Sequence, residues 1–367
     1  MNTSLVLLVG GGDASPVGQA VRAACQAAAR DLLEATLEAG VVDRAVIATD
    51  DTAWTAGLEH LPVEIDPDPP GVPFHFGQRL ADLIRRFDIR RALYAGGGSA
   101  PLMRPADWQQ ALAGFEQEIA VTNNLHSCDW IAFPCTPEWM TVIAAQERDN
   151  SLAWQWAQRT GLAVVAPPPS AASRFDLDTP SDLSIARFHP RLGDHLRAAL
   201  QELPWPVDRV EGVLNVMASE GRRLAIIGRS SAAAWQALEE ATHCEVRLFV
   251  EERGMVASGR LKQGQVRSLL ADLVERTGVE GFFGRLASLV DAALIDSRVL
   301  IAAQGLWPPQ AERFYADLFR WQEVKTPFLR QFSRAAAHAG IPILLGGQSV
   351  VNGGLMALVE TLQAQRQ

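Results

Sequence analysis

The chain of 367 residues is poor in lysine and tyrosine and has no excess of positive charge. Its only lysines are Lys262 and Lys325, and the formal net charge of -9 argues against a general nucleic-acid binder, which would carry a basic face. The four cysteines are widely scattered without a Cys-x-x-Cys pair, so neither a zinc knuckle nor a disulfide framework is indicated. No apolar run approaches the length of a membrane helix. We therefore expect a cytoplasmic globular protein with reduced thiols, no membrane anchor and no nucleic-acid partner.

Length and composition predict two domains. A hydrophobic content of 48% and 20% charged residues over this length can fill two sizeable cores. The pattern weakens between His189 and Pro206, where Pro190, Pro204 and Pro206 bracket a single helix. We place a first domain at residues 1–190, a linker helix at 191–206 and a second domain at 207–367.

The first domain alternates short apolar runs with longer helical patterns, which predicts parallel strands joined by helical crossovers. Strands are expected at residues 5–9, 44–48, 92–95, 119–122, 130–133 and 163–166. Helices are expected at residues 17–39, 78–87, 106–115, 152–159 and 181–186. The proline-rich stretch 66–73 is expected to be a loop, because its prolines lack amide donors. The fold class is therefore α/β.

The second domain repeats this alternation, with strands expected at residues 224–227, 246–250, 299–302 and 341–345. Each of them ends in a polar or glycine-rich turn and is followed by a helical pattern, which is typical of a Rossmann-like, doubly wound parallel sheet. Two of the turns combine flexible backbone with hydroxyls, and one of them also holds a guanidinium. We predict an anion site from residues of these two turns: Gly228, Arg229, Ser230, Gly346, Gly347 and Ser349.

Two carboxylates stand close together at the start of a predicted helix. Asp176 and Asp178 are two residues apart at the end of an apolar run read as a strand, so they share one side of an extended backbone and point at one ion or polyphosphate. A purely structural interpretation is equally good. Thr179 as N-cap, Pro180 at the first helical position and Asp182 three residues after the cap form a sound helix start.

Four segments in order favour the metal-site interpretation, because together they resemble one known superfamily. The strand and glycine loop at 5–12, the strand at 43–50, the strand and loop at 91–103, and the segment 176–183 resemble the nucleotidyltransferases with the glycosyltransferase-A-like fold. The molybdenum-cofactor and phospholactate guanylyltransferase branches are the most similar. The resemblance covers roughly the first half of the chain, and the second half resembles no family that we recognise.

The resemblance implies a nucleotide site and a magnesium site. It places Mg2+ on Asp178 and Asp176, which would be catalytic acids. Asp129 would be a third catalytic acid. The residues implied to bind the nucleotide belong to two glycine loops: Gly10, Gly11, Gly12, Gly97, Gly98 and Ser99. The sequence departs from the family pattern at Ser99, where an aspartate is expected, and near the first loop, where Arg22 is present but no lysine. A serine hydroxyl is a weaker ligand than a carboxylate for a hard cation.

A polar cluster at residues 123–129 links two predicted strands. Asn124 and His126 are candidates for binding the acceptor substrate, and Asp129 is expected at the sheet edge that also receives Asp178. The competing interpretation is that these side chains only satisfy the backbone of a turn.

Two functions of different classes follow. The first is a Mg2+-dependent nucleotidyltransferase that moves a nucleotidyl group from a nucleoside triphosphate to a small phosphorylated acceptor. The alternative is a catalytically degenerate protein that binds a nucleotide or a phosphorylated or acidic metabolite as a sensor or assembly module. A third arrangement would place the chemistry in the second domain. Nicotinamide binding is not expected in the first half, because the glycine spacing does not fit Gly-x-Gly-x-x-Gly. The sequence leaves a homo-oligomer open.

Overall fold

A computed structural model describes residues 3–115, 119–161 and 163–366. Residues 1 and 2 of the predicted first domain and residue 367 of the predicted second domain lie outside the described residues. Its strands form two separate sheets, one of seven strands and one of four. Helices alternate with the strands along both halves of the chain. The predicted α/β class with two sheets is confirmed.

The strands have the following bounds. They are β1 Thr3–Leu8, β2 Arg44–Thr49, β3 Val63–Pro67, β4 Arg91–Gly96, β5 Ala120–Thr122, β6 Trp130–Pro134, β7 Val164–Val165, β8 Arg223–Gly228, β9 Glu245–Val250, β10 Ala292–Asp296 and β11 Ile343–Gly346.

The helices have the following bounds. They are α1 Pro16–Glu38, α2 Phe76–Arg86, α3 Pro105–Ala111, α4 Pro137–Ala144, α5 Leu152–Thr160, α6 Ala171–Arg174, α7 Pro180–Ala186, α8 Asp194–Gln201, α9 Asp208–Ala218, α10 Ala232–Ala241, α11 Leu269–Leu289, α12 Ser297–Ala303, α13 Gln310–Asp317, α14 Pro327–Ala337 and α15 Gly353–Gln365.

The seven-stranded sheet has the order β3-β2-β1-β4-β6-β5-β7. The strands β1 to β4 are parallel, whereas β6 runs antiparallel to both β4 and β5. The sheet is covered on both faces: Val6 packs in a core with α2, α4 and α5, and its neighbours Leu5 and Leu7 on the opposite face are also fully buried. Such double burial explains why β1 reads as a continuous apolar run.

Two elements of this sheet were not predicted. The strand β3 ends at Pro67, inside the stretch predicted to be a loop, because a proline is tolerated at the edge of a sheet. Helix α4 begins with Pro137 at its first turn, in a stretch where we expected no helix.

The four-stranded sheet is parallel throughout, in the order β11-β10-β8-β9. The strand predicted at 299–302 is wrong. That stretch belongs to helix α12, and the strand is β10, Ala292–Asp296. Both stretches are short apolar runs, which periodicity alone cannot assign. The helix begins where it does because Asp296 accepts a hydrogen bond from the backbone of Arg298 and caps it.

Contacts between residues divide the chain into two compact units. The first comprises residues 1–12, 22–174 and 193–199, and the second comprises 13–21, 175–192 and 200–367. Residues 175–192 thus belong with the four-stranded sheet, whereas the sequence placed them before the domain boundary. Their hydrogen bonds explain this assignment, since the hydroxyl of Ser181 donates to the carbonyl of Leu345 in β11. Among the described helices, none combines the length and the apolar composition needed to cross a bilayer.

Candidate functional site

Two glycine loops lie side by side in the first unit. The loop of residues 10–12 follows β1, the loop of residues 96–98 ends β4, and Leu8 pairs with Gly96 in the parallel ladder between these strands. A Cβ atom on Gly97 would come within 3.0 Å of Val9, so the second loop packs directly against the end of β1. The carboxyl edge of a parallel sheet is where such folds bind ligands.

An ion pair closes the first glycine loop. The guanidinium of Arg22 donates to the carboxylate of Asp50 at 2.6 and 3.3 Å, and the backbone amide of Gly11 donates to the same carboxylate at 3.2 Å. Gly11 and Gly12 have φ angles of +71° and +99°, in the region that favours glycine, and a Cβ atom on either would meet no atom within 4 Å. The outer side of this loop is therefore open, and its one guanidinium is held by a carboxylate.

Ser99 has a structural role at the end of β4. Its hydroxyl accepts a hydrogen bond from the backbone of Gly96 at 3.1 Å and donates one to the carbonyl oxygen of Asp129 at 2.8 Å. The side chain is buried. Through these two hydrogen bonds Ser99 connects the second glycine loop to the residue that precedes β6.

The polar cluster at 123–129 is organised by Asn123, which the sequence did not single out. Its amide donates to the carboxylate of Asp129 at 2.5 Å, and its carbonyl oxygen accepts from the backbone of Asp129 at 3.0 Å. Asn124 accepts from the backbone of His126 at 3.2 Å, which is a local turn contact. The ring of His126 is exposed and lies 4.9 Å from that of Trp154. Asp129 and Ser99 are thus neighbours, whereas a role of Asn124 and His126 in acceptor binding stays a prediction.

Asp176 and Asp178 lie in the second unit, on a short extended segment. The expected strand before them is wrong: helix α6 precedes them, because Ser170 caps it by accepting from the backbone of Ser173 at 3.2 Å. The alternation itself is present, since Phe175 and Leu177 are buried while Asp176 is half-buried and Asp178 is exposed.

The predicted helix start at Thr179 is confirmed as a capping box. The carboxylate of Asp182 accepts from the backbone and the hydroxyl of Thr179, both at 2.7 Å, and from the backbone of Asp178 at 3.2 Å. Burial raises the pKa of Asp182 to about 8, and the charge of Asp178 adds to the shift, while hydrogen bonds from Thr179 and Ser349 oppose it. Near neutral pH the buried carboxyl of Asp182 is therefore largely protonated.

A pH dependence of stability follows from Asp182. The folded protein keeps the proton up to about pH 8, whereas the unfolded chain releases it near the ordinary pKa of 3.8, so stability should fall as pH rises between these values. We expect Asp182→Asn to flatten this part of the profile, because asparagine keeps the accepting oxygen and carries no charge. The measurement is chemical unfolding from pH 5 to pH 8 in metal-free buffer. An unchanged slope in the variant would contradict the assignment.

In the predicted anion loops of the second unit, Arg229 and Ser349 already have partners within the protein. Arg229 is buried, and its guanidinium donates to the carboxylate of Asp296 at 2.5 and 3.1 Å. The hydroxyl of Ser349 donates to the backbone carbonyl of Asp176 at 3.2 Å. A Cβ atom on Gly346 or Gly347 would contact Thr179 at 3.3–3.4 Å, so this turn packs against the start of α7. Anion binding by these loops stays a prediction. The guanidinium of Arg229 would contribute to it only in competition with the carboxylate of Asp296.

The sequence missed a buried charge network at this edge of the second sheet. Asp296 ends β10, and Arg298 follows it and donates to the carboxylate of Asp317 at 2.8 and 2.5 Å. The sequence analysis did not identify Asp296 as the partner of Arg229, because it placed the strand at residues 299–302 and not at Ala292–Asp296. The signal was present, since Asp-Ser-Arg directly after Ala292–Ile295 is a polar turn at a strand end.

The resemblance implies a Mg2+ site at Asp176, Asp178 and Asp129. Within the described part of the chain, these acids do not form a group of three converging metal ligands. Among the described residues, three metal-ligating side chains converge only at Asp31, Glu34 and His195. There the carboxylate of Asp31 already accepts from the backbone amides at the start of α8. Mg2+ is often held by one or two carboxylates together with substrate phosphates. The exposed carboxylate of Asp178 is a ligand of that chemical type.

Comparisons with known proteins find similarity to solved structures only. No family model matches the chain, and no curated protein matches it. Similar solved structures include a nucleotide-diphospho-sugar transferase from Desulfovibrio desulfuricans, 16% identical over 55% of this chain and 95% of that one, with a TM-score of 0.40. A nucleotidyl transferase from Methanothermobacter is 15% identical over 54% and 98%, with a TM-score of 0.38.

A third similar structure is a 4-diphosphocytidyl-2C-methyl-D-erythritol synthase from Anaerococcus prevotii, 13% identical over 49% and 92%, with a TM-score of 0.36. Two of these three structures are thus named as nucleotidyl or nucleotide-sugar transferases, the kind of protein that the motifs of the first half resemble.

Proposed function

We propose that the protein is a nucleotidyltransferase that transfers a nucleotidyl group from a nucleoside triphosphate to a small phosphorylated acceptor. One observation supports this most directly: two glycine loops leave the neighbouring strands β1 and β4 at the same edge of the first sheet. Glycines at such an edge let backbone amides approach phosphate oxygens closely. A Cβ atom on Gly11 or Gly12 would meet no atom within 4 Å, so the backbone is not covered at these two residues.

Arg22 and Asp50 would set the affinity for phosphate. The guanidinium of Arg22 pairs with Asp50 at 2.6 Å and lies 3.7 Å from the carboxylate of Asp51, with all three side chains partly exposed. We infer that Arg22 exchanges the carboxylate of Asp50 for a phosphate oxygen when the nucleotide binds, because a guanidinium pairs with either group through the same two donors. The glycine loop thus lacks a free cation until the ligand displaces Asp50.

Asp178, with Asp176, stays the proposed ligand of the magnesium ion. Mg2+ held there would stabilise the charge that develops on the transferring phosphoryl group. Asp129 is the proposed third acid. Its carboxylate is oriented by the amide of Asn123, so that Asn123 positions a catalytic candidate and does not itself react.

A second candidate function is supported by Ser99. Its hydroxyl is committed to two backbone groups and is buried, so the position where the family resemblance expects an aspartate offers no cation ligand. A protein without this ligand is suited to binding a nucleotide or phosphorylated metabolite as a sensor or assembly module. In both cases the proposed partners are small molecules and not nucleic acid, and the proposed location is the cytoplasm.

Release of pyrophosphate separates the two functions. The protein is incubated with GTP or CTP, Mg2+ and a panel of sugar phosphates and phosphorylated acids, and its thermal unfolding is followed with the same ligands. A transferase releases pyrophosphate only when a suitable acceptor is present. A binding module shows a ligand-dependent rise in melting temperature without pyrophosphate. If neither signal appears with any nucleotide, both proposals are wrong.

A further inference from the structure

The strand β9 forms an exposed edge of the four-stranded sheet. It pairs with β8 on one side, and among the described residues no strand pairs with its other side. Three consecutive apolar side chains, Leu248, Phe249 and Val250, are 37%, 39% and 45% exposed. Adjacent residues of a strand point to opposite faces, so β9 is partly exposed on both faces as well as along its edge.

The other edge strands are protected, whereas the apolar half of β9, residues 248–250, is not. The strand β3 ends in a proline, β7 has two residues, and all four residues of β11 are buried. Natural edge strands are usually shielded by lysine, proline, shortness or a covering element, because their unpaired backbone groups are templates for another strand. The strand β9 has six residues with neither lysine nor proline.

The backbone groups on the free side of β9 can be assigned from its pairing with β8. The amides of Glu245 and Glu251 donate to carbonyls of the β8 segment at 2.8 and 3.1 Å. In a parallel ladder alternate residues face the same neighbour, so the odd-numbered residues of β9 face β8. The amide and carbonyl groups of Val246, Leu248 and Val250 therefore point to the open edge.

Both ends of helix α11 extend the apolar surface around this edge. Its first residue, Leu269, is 76% exposed, and its backbone amide donates to the carboxylate of Glu251 at 2.8 Å. Its last residue, Leu289, is 45% exposed and accepts from the guanidinium of Arg247 at 3.3 Å. The exposed leucines thus lie next to the two charged residues that flank the apolar part of β9.

We propose that a second copy of this chain covers the surface, with β9 of one protomer pairing antiparallel with β9 of its partner about a two-fold axis. Symmetry requires that one residue faces its own copy. If that residue is Phe249, each Leu248 faces a Val250 of the partner and each Arg247 faces a Glu251 of the partner. The strand is then self-complementary in charge. Centring the axis on Arg247 would instead oppose two guanidinium groups.

This register predicts a specific crosslink. Phe249 does not use its backbone groups at the open edge, so the Phe249 pair is a non-hydrogen-bonded pair, in which Cα atoms lie about 4.5 Å apart. That distance is within the disulfide range. Cys244 directly precedes β9 and is first replaced by serine, so that it cannot form a disulfide itself. In this Cys244→Ser background, Phe249→Cys is expected to give a covalent dimer on mild oxidation. The matched control Leu248→Cys is displaced from its own copy by two residues along the strand and is expected to stay uncrosslinked.

The mass in solution provides the second readout. Sedimentation equilibrium of the wild-type chain should give twice the chain mass of 39.8 kDa. Leu248→Lys, which places a charge on the exposed edge, should halve this mass while the far-ultraviolet circular dichroism spectrum stays that of the folded wild-type chain. A wild-type monomer over a wide concentration range would overturn the proposal. So would a dimer that neither Leu248→Lys dissociates nor Phe249→Cys crosslinks, or a crosslink at residue 248 in place of 249.

Discussion

Replacing Asp178 by alanine is expected to lower nucleotidyl transfer roughly 10²- to 10³-fold. A metal-bound charge stabiliser contributes several kcal/mol to the transition state, and each 1.4 kcal/mol is about a factor of ten in rate. The side chain of Asp178 is exposed, so its loss should leave the fold intact. The measurement is the initial rate of pyrophosphate release from GTP or CTP with Mg2+ and an acceptor. Turnover at the wild-type rate would remove Asp178 from the reaction.

The control for this experiment is Glu239→Ala, which removes an exposed acid from helix α10 of the same unit. It should leave the rate unchanged, because Glu239 is not among the proposed ligands. The Asp178 variant also removes one cause of the raised pKa of Asp182. Rates should therefore be compared at more than one pH, so that a shift of the profile is not mistaken for a lost ligand.

Replacing Asp296 by alanine is expected to destabilise the second unit by about 3–5 kcal/mol, the usual cost of leaving one member of a buried ion pair uncompensated. Asp296 is fully buried, accepts hydrogen bonds from Nε and Nη2 of Arg229, and caps α12. Its removal leaves a buried positive charge and an uncapped helix. Denaturant unfolding followed by tryptophan fluorescence and circular dichroism measures the change.

Two controls separate the ion pair from general effects of substitution. Glu280→Ala breaks the exposed pair with Arg334 and should change stability by less than about 1 kcal/mol. The double variant Arg229→Met with Asp296→Asn removes both charges and keeps a capping side chain. It should recover much of the loss. An Asp296→Ala protein as stable as the Glu280→Ala protein would contradict the assignment.

The sequence predicted those parts of the fold that local patterns determine. The continuous apolar runs of β1, β2 and β4 identified a sheet covered on both faces, and the Thr-Pro-x-Asp pattern at residue 179 identified the capping box of α7. Each of these elements is stabilised by burial or by hydrogen bonds within a few residues. The two glycine loops were likewise visible, because glycines directly after an apolar run indicate a turn at a strand end.

The remaining features depend on contacts between residues far apart in the chain. The commitment of Ser99 to the carbonyl of Asp129 and the pairing of Arg229 with Asp296 decide what these side chains can bind, and neither is readable from spacing. The run of residues 299–302 resembles a strand, yet the capping by Asp296 makes it a helix. The exposure of β9 also depends on which strands lie beside it.

The most direct test of the proposed phosphate site is calorimetric titration of GTP and CTP into the wild-type protein and three variants. Asp50→Asn removes the carboxylate that pairs most closely with Arg22 and should strengthen binding by about 0.5–1 kcal/mol, a two- to fivefold lower Kd. Arg22→Ala should weaken binding, and Asp82→Asn, which breaks an exposed pair elsewhere in the first unit, should have no effect. Equal affinities for all four proteins would show that the first glycine loop does not hold the phosphates.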